Sequence, residues 1–213
     1  MFSKTFFSQK FPSAHLNYLE SSPSKQDEKV PLLIYIHGAG SRGSDLSQMS
    51  RIGPLKEPVN GACAEALIVA PQCHANTWFD LFHVLAEFIE QSIKRDIVDK
   101  KRVYIIGVSM GAYATWQMCM SHPDWFAAAV PICGGGMYWN AERLKNLPIW
   151  AFHGALDTVV LPIESQKMVD AVNQHGGNAK LTIFEKDQHN SWDSAFATTE
   201  MWEWLFKQTS HES

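Results

Sequence analysis

The chain has 213 residues, of which 46% are hydrophobic and 19% charged, with 18 basic and 22 acidic side chains and a net charge of −4. That is enough chain for one α/β domain with a substantial core and too little to expect two, so residues 1–213 read as a single domain. The mild acidity, without a basic block, excludes an electrostatic footprint for nucleic acid or an anionic membrane.

The first stretch, Met1 to Ala14, carries four phenylalanines, but Lys4, Ser8, Gln9 and Lys10 interrupt them, leaving no secretory apolar core. No run of 18 apolar residues exists to span a membrane. The four cysteines, Cys63, Cys73, Cys119 and Cys133, lack Cys-x-x-Cys spacing and read as reduced buried thiols, which points to a cytoplasmic protein. The N-terminal phenylalanines have two readings, a homodimer contact or a cover for the first strands.

Residues 14–20 alternate loosely and predict an antiparallel edge strand, followed by a polar turn from Ser21 to Lys29. Pro31 to Ile36 is a continuous apolar run, a buried strand ending at His37-Gly38-Ala39-Gly40. The next thirty residues are weakly periodic and predict a loop with a short helix; Ala66 to Ala70 is a third strand. From Phe79 to Asp99, apolar residues at Leu81, Leu85, Phe88, Ile89, Ile93 and Ile97 follow the helical period for about five turns.

Val103 to Ile106 then predict a strand buried on both faces, broken by Gly107-Val108-Ser109-Met110-Gly111, after which apolar and small residues recur at helical spacing up to Pro123. Strand, sharp turn and helix around Gly-x-Ser-x-Gly make a nucleophile elbow: the serine takes a strained backbone, and the glycines let strand and helix close together. The pentapeptide arises by chance in roughly one chain of this length in fourteen, so it acquires meaning only with partners. Further strands follow at Phe126–Cys133, Pro148–Phe152 and Leu181–Glu185, with helices at Ile163–Asn173 and Trp192–Phe206. Strands alternating with helices imply a mostly parallel sheet covered on both faces, with ligands beyond the C-terminal strand ends.

A serine hydroxyl needs a base to take its proton and an acid to orient that base. In the chain order this fold requires, Asp157 and His189 each follow a strand downstream of Ser109. Asp157 could instead cap the helix near Pro162. Asp187 and Asp193 flank His189, but neighbours on a tight loop seldom reach the ring nitrogen directed away from the serine. His153, four residues before Asp157, would suit a metal pair, yet no third ligand is spaced to join it. The remaining histidines read mostly as surface or core groups. For an oxyanion, the N–H groups of Met110 and Ala39 are the best-placed donors.

These motifs together resemble the α/β-hydrolases, and within them the small esterases and predicted peptidases related to phospholipase/carboxylesterase and dienelactone-hydrolase-like proteins. The resemblance runs from about Pro31 to Trp204 and is carried by YIHGAGSRGSD at 35–45, APQC at 70–73 with Trp78, DKKRVYIIGVSMGAYATW at 99–116, FAAAVPICGGG at 126–136, PIWAFHGALDTVV at 148–160 and QHNSWD at 188–193. It implies Ser109 as nucleophile with Asp157 and His189, and no metal or organic cofactor. Ala112 and Gln188 depart from glycines usual in the family, which bears on loop packing.

Only about fifteen residues, Gly134 to Pro148, separate the strand after the elbow helix from the one bearing Asp157, so a large lid is excluded and the cleft should be open. Trp78, Trp139 and Trp192 are candidates for aromatic pocket walls, although packing explains Trp139 and Trp192 equally well. The reading is a serine esterase acting through an acyl-enzyme on a small or extended soluble ester. A peptidase or thioesterase on the same residues is the alternative, and a binding module that keeps the fold without turnover is the rival from another class.

Overall fold

The computed structural model of the chain describes residues 1–21, 23, 28–49, 53–55 and 61–210. Eight strands form one sheet: β1 Phe2–Phe7, β2 His15–Ser21, β3 Val30–Ile36, β4 Leu67–Pro71, β5 Val98–Val108, β6 Ala128–Ile132, β7 Ile149–Gly154 and β8 Ala179–Phe184, in the order β1-β2-β4-β3-β5-β6-β7-β8. The β1–β2 and β2–β4 pairs are antiparallel and all the others parallel. The helices are α1 Gly61–Ala64, α2 Phe82–Ile93, α3 Met110–Ser121, α4 Ile163–Gln174, α5 Trp192–Ala197 and α6 Thr199–Lys207. This is the mostly parallel, doubly covered sheet expected from the alternation of strands and helices, in the α/β-hydrolase architecture that the resemblance implies.

The apolar runs explain why the central strands lie where they do. Successive side chains of a strand point to opposite faces. In β3, Leu32, Ile34 and Ile36 enter one core with Val103 and Ile105 of β5, and with Phe88 of α2, Trp116 of α3 and Met168 of α4. Leu33 and Tyr35 enter the other, with Tyr104, Ile106 and Val108 of β5 and with Phe196 and Trp202 of α5 and α6. Both faces are therefore covered, and each fully buried aliphatic side chain contributes about 1.5–3 kcal/mol.

Three expectations are corrected. Residues 14–20 do form an antiparallel strand, but β1 pairs along it from Phe2↔Glu20 to Phe7↔His15, so β1 is the edge. Glu20 fastens this hairpin to the sheet. It is buried and meets Lys4 Nζ at 2.6 Å and Arg95 Nη1 at 2.7 Å. Burial pushes its carboxyl up, and the two cations outweigh this and hold it below the ordinary range.

The second correction concerns α2, which stops at Ile93 rather than running to Asp99. Arg95 turns out to Glu20, and the Ile97 carbonyl accepts from Val30 N–H at 2.8 Å, so Ile97 continues the apolar periodicity while already leading into β5. Thirdly, the closing helix divides at Thr198, whose backbone is extended (φ −79°, ψ 101°) and whose hydroxyl donates to the Ser194 carbonyl. Two adjacent threonines are stiff at χ1 and poor helix formers, which places the break there.

The turn expected over 21–29 and the loop and short helix expected after Gly40 fall partly outside the described residues. All four cysteines are buried free thiols. No helix of the described residues is long and apolar enough to cross a membrane.

Candidate active site

The C-terminal ends of β3, β5, β6, β7 and β8 converge on Ser109. Its backbone has φ 52° and ψ −119°, a conformation L-residues rarely adopt, between the end of β5 and the first residue of α3. Hydrogen bonding holds it there. The Ser109 amide donates to the Ile132 carbonyl at 2.9 Å, and the Ser109 carbonyl accepts from Ala112 N–H at 2.8 Å. Side chains on the flanking glycines would prevent the turn: a Cβ at Gly107 would collide with Thr115 and the Gly111 carbonyl, and one at Gly111 with the Ile36 carbonyl. The strained serine is thus imposed by close approach of three backbones.

Two loops deliver its partners. The segment after β7 and the segment after β8 are stitched by Ala155 N–H to the Phe184 carbonyl and Leu156 N–H to the Asp187 carbonyl, both at 2.9 Å. Gly154 has no side chain because one would strike the Asp187 and Gln188 carbonyls. The stitched loops bring Asp157 and His189 together. His189 Nε2 lies 2.8 Å from Ser109 Oγ, and its Nδ1 lies 2.7 Å from Asp157 Oδ2.

Asp157 is buried, whereas Asp193 is exposed and takes a contact from Asn190. The other oxygen of Asp157, Oδ1, accepts from the Val159 and Val160 amides at 2.9 and 3.0 Å. Burial pushes the carboxyl up; the His189 N–H and the two amides outweigh it and hold the group below the ordinary aspartate range. An ionised Asp157 fixes the tautomer of His189 with hydrogen on Nδ1, which leaves Nε2 free to accept the serine proton.

The candidate oxyanion donors also sit beside Ser109. Met110 and Ala39 each begin a helical turn, α3 and a 3-10 turn over Ala39–Ser41, where N–H groups have no intrahelical partner. The loop before Ala39 runs close to the elbow: a Cβ at Gly38 would lie 3.3 Å from Ser109 Cβ. Its shape is fixed from behind by His37. Nδ1–H of His37 donates to the Gly38 carbonyl at 2.6 Å and Nε2 accepts from Cys73 N–H at 2.9 Å, so both ring nitrogens are used by a neutral imidazole. Burial pushes its pKa down to about 4, against a smaller opposite effect of the Gly38 bond. Arg42 braces the front, donating from Nε to the Ala39 carbonyl at 3.0 Å and from Nη1 to the Asn76 carbonyl at 2.7 Å.

The three tryptophans fare differently. Trp78 is fully buried and donates its indole N–H to the His37 carbonyl at 2.9 Å, so it supports the Ala39 loop from within and is corrected as a pocket wall. Trp139 is 71% exposed and lines a cavity of about 940 Å³ with Arg143, Asn146, Pro148, His175 and Gln208. Pro148 and Ala127, which also line it, lead into β7 and β6 rather than out of them, and Ser109, Asp157 and His189 do not line it. Trp139 therefore also fails as a wall of the Ser109 cleft. Trp192 is half-buried and stands edge-on to His189, with ring centres 5.6 Å apart.

Ala112 finds its room at Gly134, where a Cβ would sit 2.6 Å from the Ala112 methyl. Cys133, buried nearby and pushed up to about 12 by that burial, stays a thiol at neutral pH. Among the described residues no three His, Cys, Asp or Glu side chains are grouped to hold a metal ion. Sequence reasoning missed the bracing role of His37 and the environment of His153; the only sequence signal for either was its place at the end of an apolar strand run.

The comparisons agree with this architecture. The description of the Phospholipase/Carboxylesterase family matches residues 20–202. Feruloyl esterase B of Piromyces equi is 29% identical over 153 residues, and poly(3-hydroxyalkanoate) depolymerase C of Paucimonas lemoignei is 24% identical over 139. Those matches take in 63% and 57% of this chain, but only 27% and 32% of the two proteins. Among solved structures, a thermostable esterase superposes with a TM-score of 0.88 at 31% identity, over 98% of this chain and 63% of its own. Est1E from Butyrivibrio proteoclasticus superposes at 0.74 with 15% identity, over 97% and 98%, which speaks for the fold alone. The chain belongs to the phospholipase/carboxylesterase family of α/β-hydrolases.

Proposed function

We propose that the chain is a serine esterase that cleaves a carboxylic ester of a small or extended soluble substrate through an acyl-enzyme. The observation that carries this reading is the unbroken hydrogen-bonded sequence from Ser109 through His189 to a buried, ionised Asp157, set on a strained elbow. In the first step Ser109 Oγ bonds to the ester carbon as its proton passes to His189 Nε2. Asp157 stabilises the imidazolium so formed, and the Ala39 and Met110 N–H groups face the oxyanion. His189 then returns the proton to the departing alkoxide as the carbon–oxygen bond breaks. Water, deprotonated in turn by His189, releases the acid and restores Ser109.

The short segment between β6 and β7, holding the 3-10 helix Tyr138–Leu144, supports an open cleft rather than one closed by a large lid. Trp192, edge-on to His189, is the tryptophan best placed to meet a substrate ring. A panel of p-nitrophenyl acyl esters beside aminoacyl p-nitroanilides tests the proposal. Ester turnover that disappears in Ser109→Ala is expected; turnover of anilides and of no ester would replace it with a peptidase.

A further inference from the structure

His153 is fully buried at the end of β7, outside the path from Ser109 to Asp157, yet its polar surroundings connect it to both. Nε2 lies 2.9 Å from the Val160 carbonyl and 3.2 Å from Asp157 Oδ2. Both neighbours can only accept, so Nε2 carries a hydrogen. On the other side, Nδ1 lies 2.7 Å from Ser165 Oγ, and Ser165 bonds the Gly134 carbonyl at 2.7 Å. Gly134 itself packs on the elbow, where a Cβ would come within 3.0 Å of the Ser109 carbonyl oxygen. The polar path therefore runs from Ser109 through His189, Asp157, His153 and Ser165 to the Gly134 carbonyl, and Gly134 packs against the backbone of Ser109.

The consequence falls on Asp157. Its Oδ2 receives the His189 N–H at 2.7 Å and shares the His153 Nε2–H, at 3.2 Å, with the Val160 carbonyl at 2.9 Å, while Oδ1 is occupied by the Val159 and Val160 amides. The two amides come from the same short turn as the aspartate and move with it. The His153 bond comes from β7 and ties the carboxylate to the sheet. From other elements, Cys133 after β6 and Tyr113 of α3 face Asp157, with Glu164 of α4 facing Tyr113.

We propose that His153 is a positioning residue for ester cleavage: its Nε2–H holds the plane of the Asp157 carboxylate so that Oδ2 meets His189 in line with Ser109. This rests on the reading of Ser109, His189 and Asp157 as the catalytic residues. A histidine that merely fills the core would share the burial, but its replacement would change stability alone.

The test compares His153→Phe, which keeps a ring and removes the donor, with His153→Gln, whose terminal amide can occupy the place of Nε2–H. kcat and KM for p-nitrophenyl acetate are measured beside melting temperature and the rate of labelling by a fluorophosphonate. For His153→Phe, kcat falls about 10- to 100-fold, as for an angstrom-scale misplacement of a catalytic group, and KM stays within about twofold. His153→Gln regains most of that loss. Equal kcat values for wild type and His153→Phe, or equal losses in the two variants, would overturn the proposal.

If His153→Phe does not fold, Ser165→Ala decides. It unties the far side of the ring and lowers kcat several-fold at constant KM; an unchanged kcat overturns the proposal. A wild type that neither turns over esters nor takes up the fluorophosphonate would overturn the triad reading, and this inference with it. An active wild type with an unmoved variant overturns this inference alone.

Discussion

The two ends of the parallel sheet differ in a way that separates chemistry from volume. At the N-terminal ends of β6 and β7 lies a cavity of about 940 Å³ bordered by Trp139, Arg143, Asn146 and Gln208. It has the size expected of a ligand pocket, yet the described residues around it include neither a non-glycine residue of positive φ nor a hydrogen-bonded relay of titratable groups. At the C-terminal ends, space is so tight that Gly107, Gly111 and Gly154 have no room for a methyl group. That is where Ser109 is strained and where an imidazole joins a hydroxyl to a carboxylate. Nucleophilic chemistry requires groups held within hydrogen-bond reach, and crowding rather than openness provides it.

Substitutions at the two ends can break this comparison. The largest effect is expected for Ser109→Ala, which removes the proposed nucleophile and lowers kcat about 10⁴-fold or more, read by ester hydrolysis under conditions where circular dichroism shows the fold intact. Next, Gly111→Ala forces a methyl against the Ile36 carbonyl and should cost about 1–3 kcal/mol in urea unfolding, together with a loss of activity exceeding the loss of folded protein. A variant of undiminished stability would show that the elbow is looser than described.

The behaviour of His37 gives a third prediction, with a defined sign. Its pKa is about 4 in the fold and near the ordinary histidine value of about 6.5 when unfolded. Between those values the unfolded chain binds the extra proton, so stability falls as pH falls through that window and the His37 contribution levels off below about pH 4. The full difference amounts to about 3 kcal/mol. Urea unfolding at pH 7 and pH 5 should show the decline, and His37→Asn should reduce it. The smallest effect belongs to the opposite end: Trp139→Ala should leave kcat/KM within about twofold. A tenfold loss there would move substrate binding to the far cavity.

The parts legible in the sequence are those written in local pattern. β3, β5, β6 and β7 appear as short apolar runs because both of their faces are buried, and the elbow appears because only glycines permit its backbone contacts. Asp157 and His189 were readable because the fold requires them in that order after strands. β1 was not, since Phe-Ser-Lys-Thr-Phe-Phe lies at an exposed edge and lacks a buried face. The true end of α2 depends on Arg95 meeting Glu20, 75 residues away in the chain, and no local pattern carries that contact.

The tryptophans show the same limit. Trp78 and Trp139 are chemically identical, and what separates them is whether the indole N–H finds the His37 carbonyl in the interior or the ring stays in solvent. His153 is legible as a residue of the Phe-His-Gly-Ala-Leu-Asp stretch, but its bonds to Ser165 and Asp157 belong to the folded chain. The four-residue spacing to Asp157, which suits a metal pair but lacks a third ligand, does bring the two side chains within 3.2 Å.

The central claim is that Ser109 is a nucleophile activated by its place in the fold. The most direct measurement is mass spectrometry of the peptides of the wild-type chain after reaction with a fluorophosphonate, with ester hydrolysis followed in parallel. One adduct per chain on Ser109, accumulating in step with the loss of hydrolysis and absent from Ser109→Ala, is the predicted result. Hydrolysis that persists with Ser109 fully modified, or an adduct elsewhere in an equally active Ser109→Ala, would contradict it.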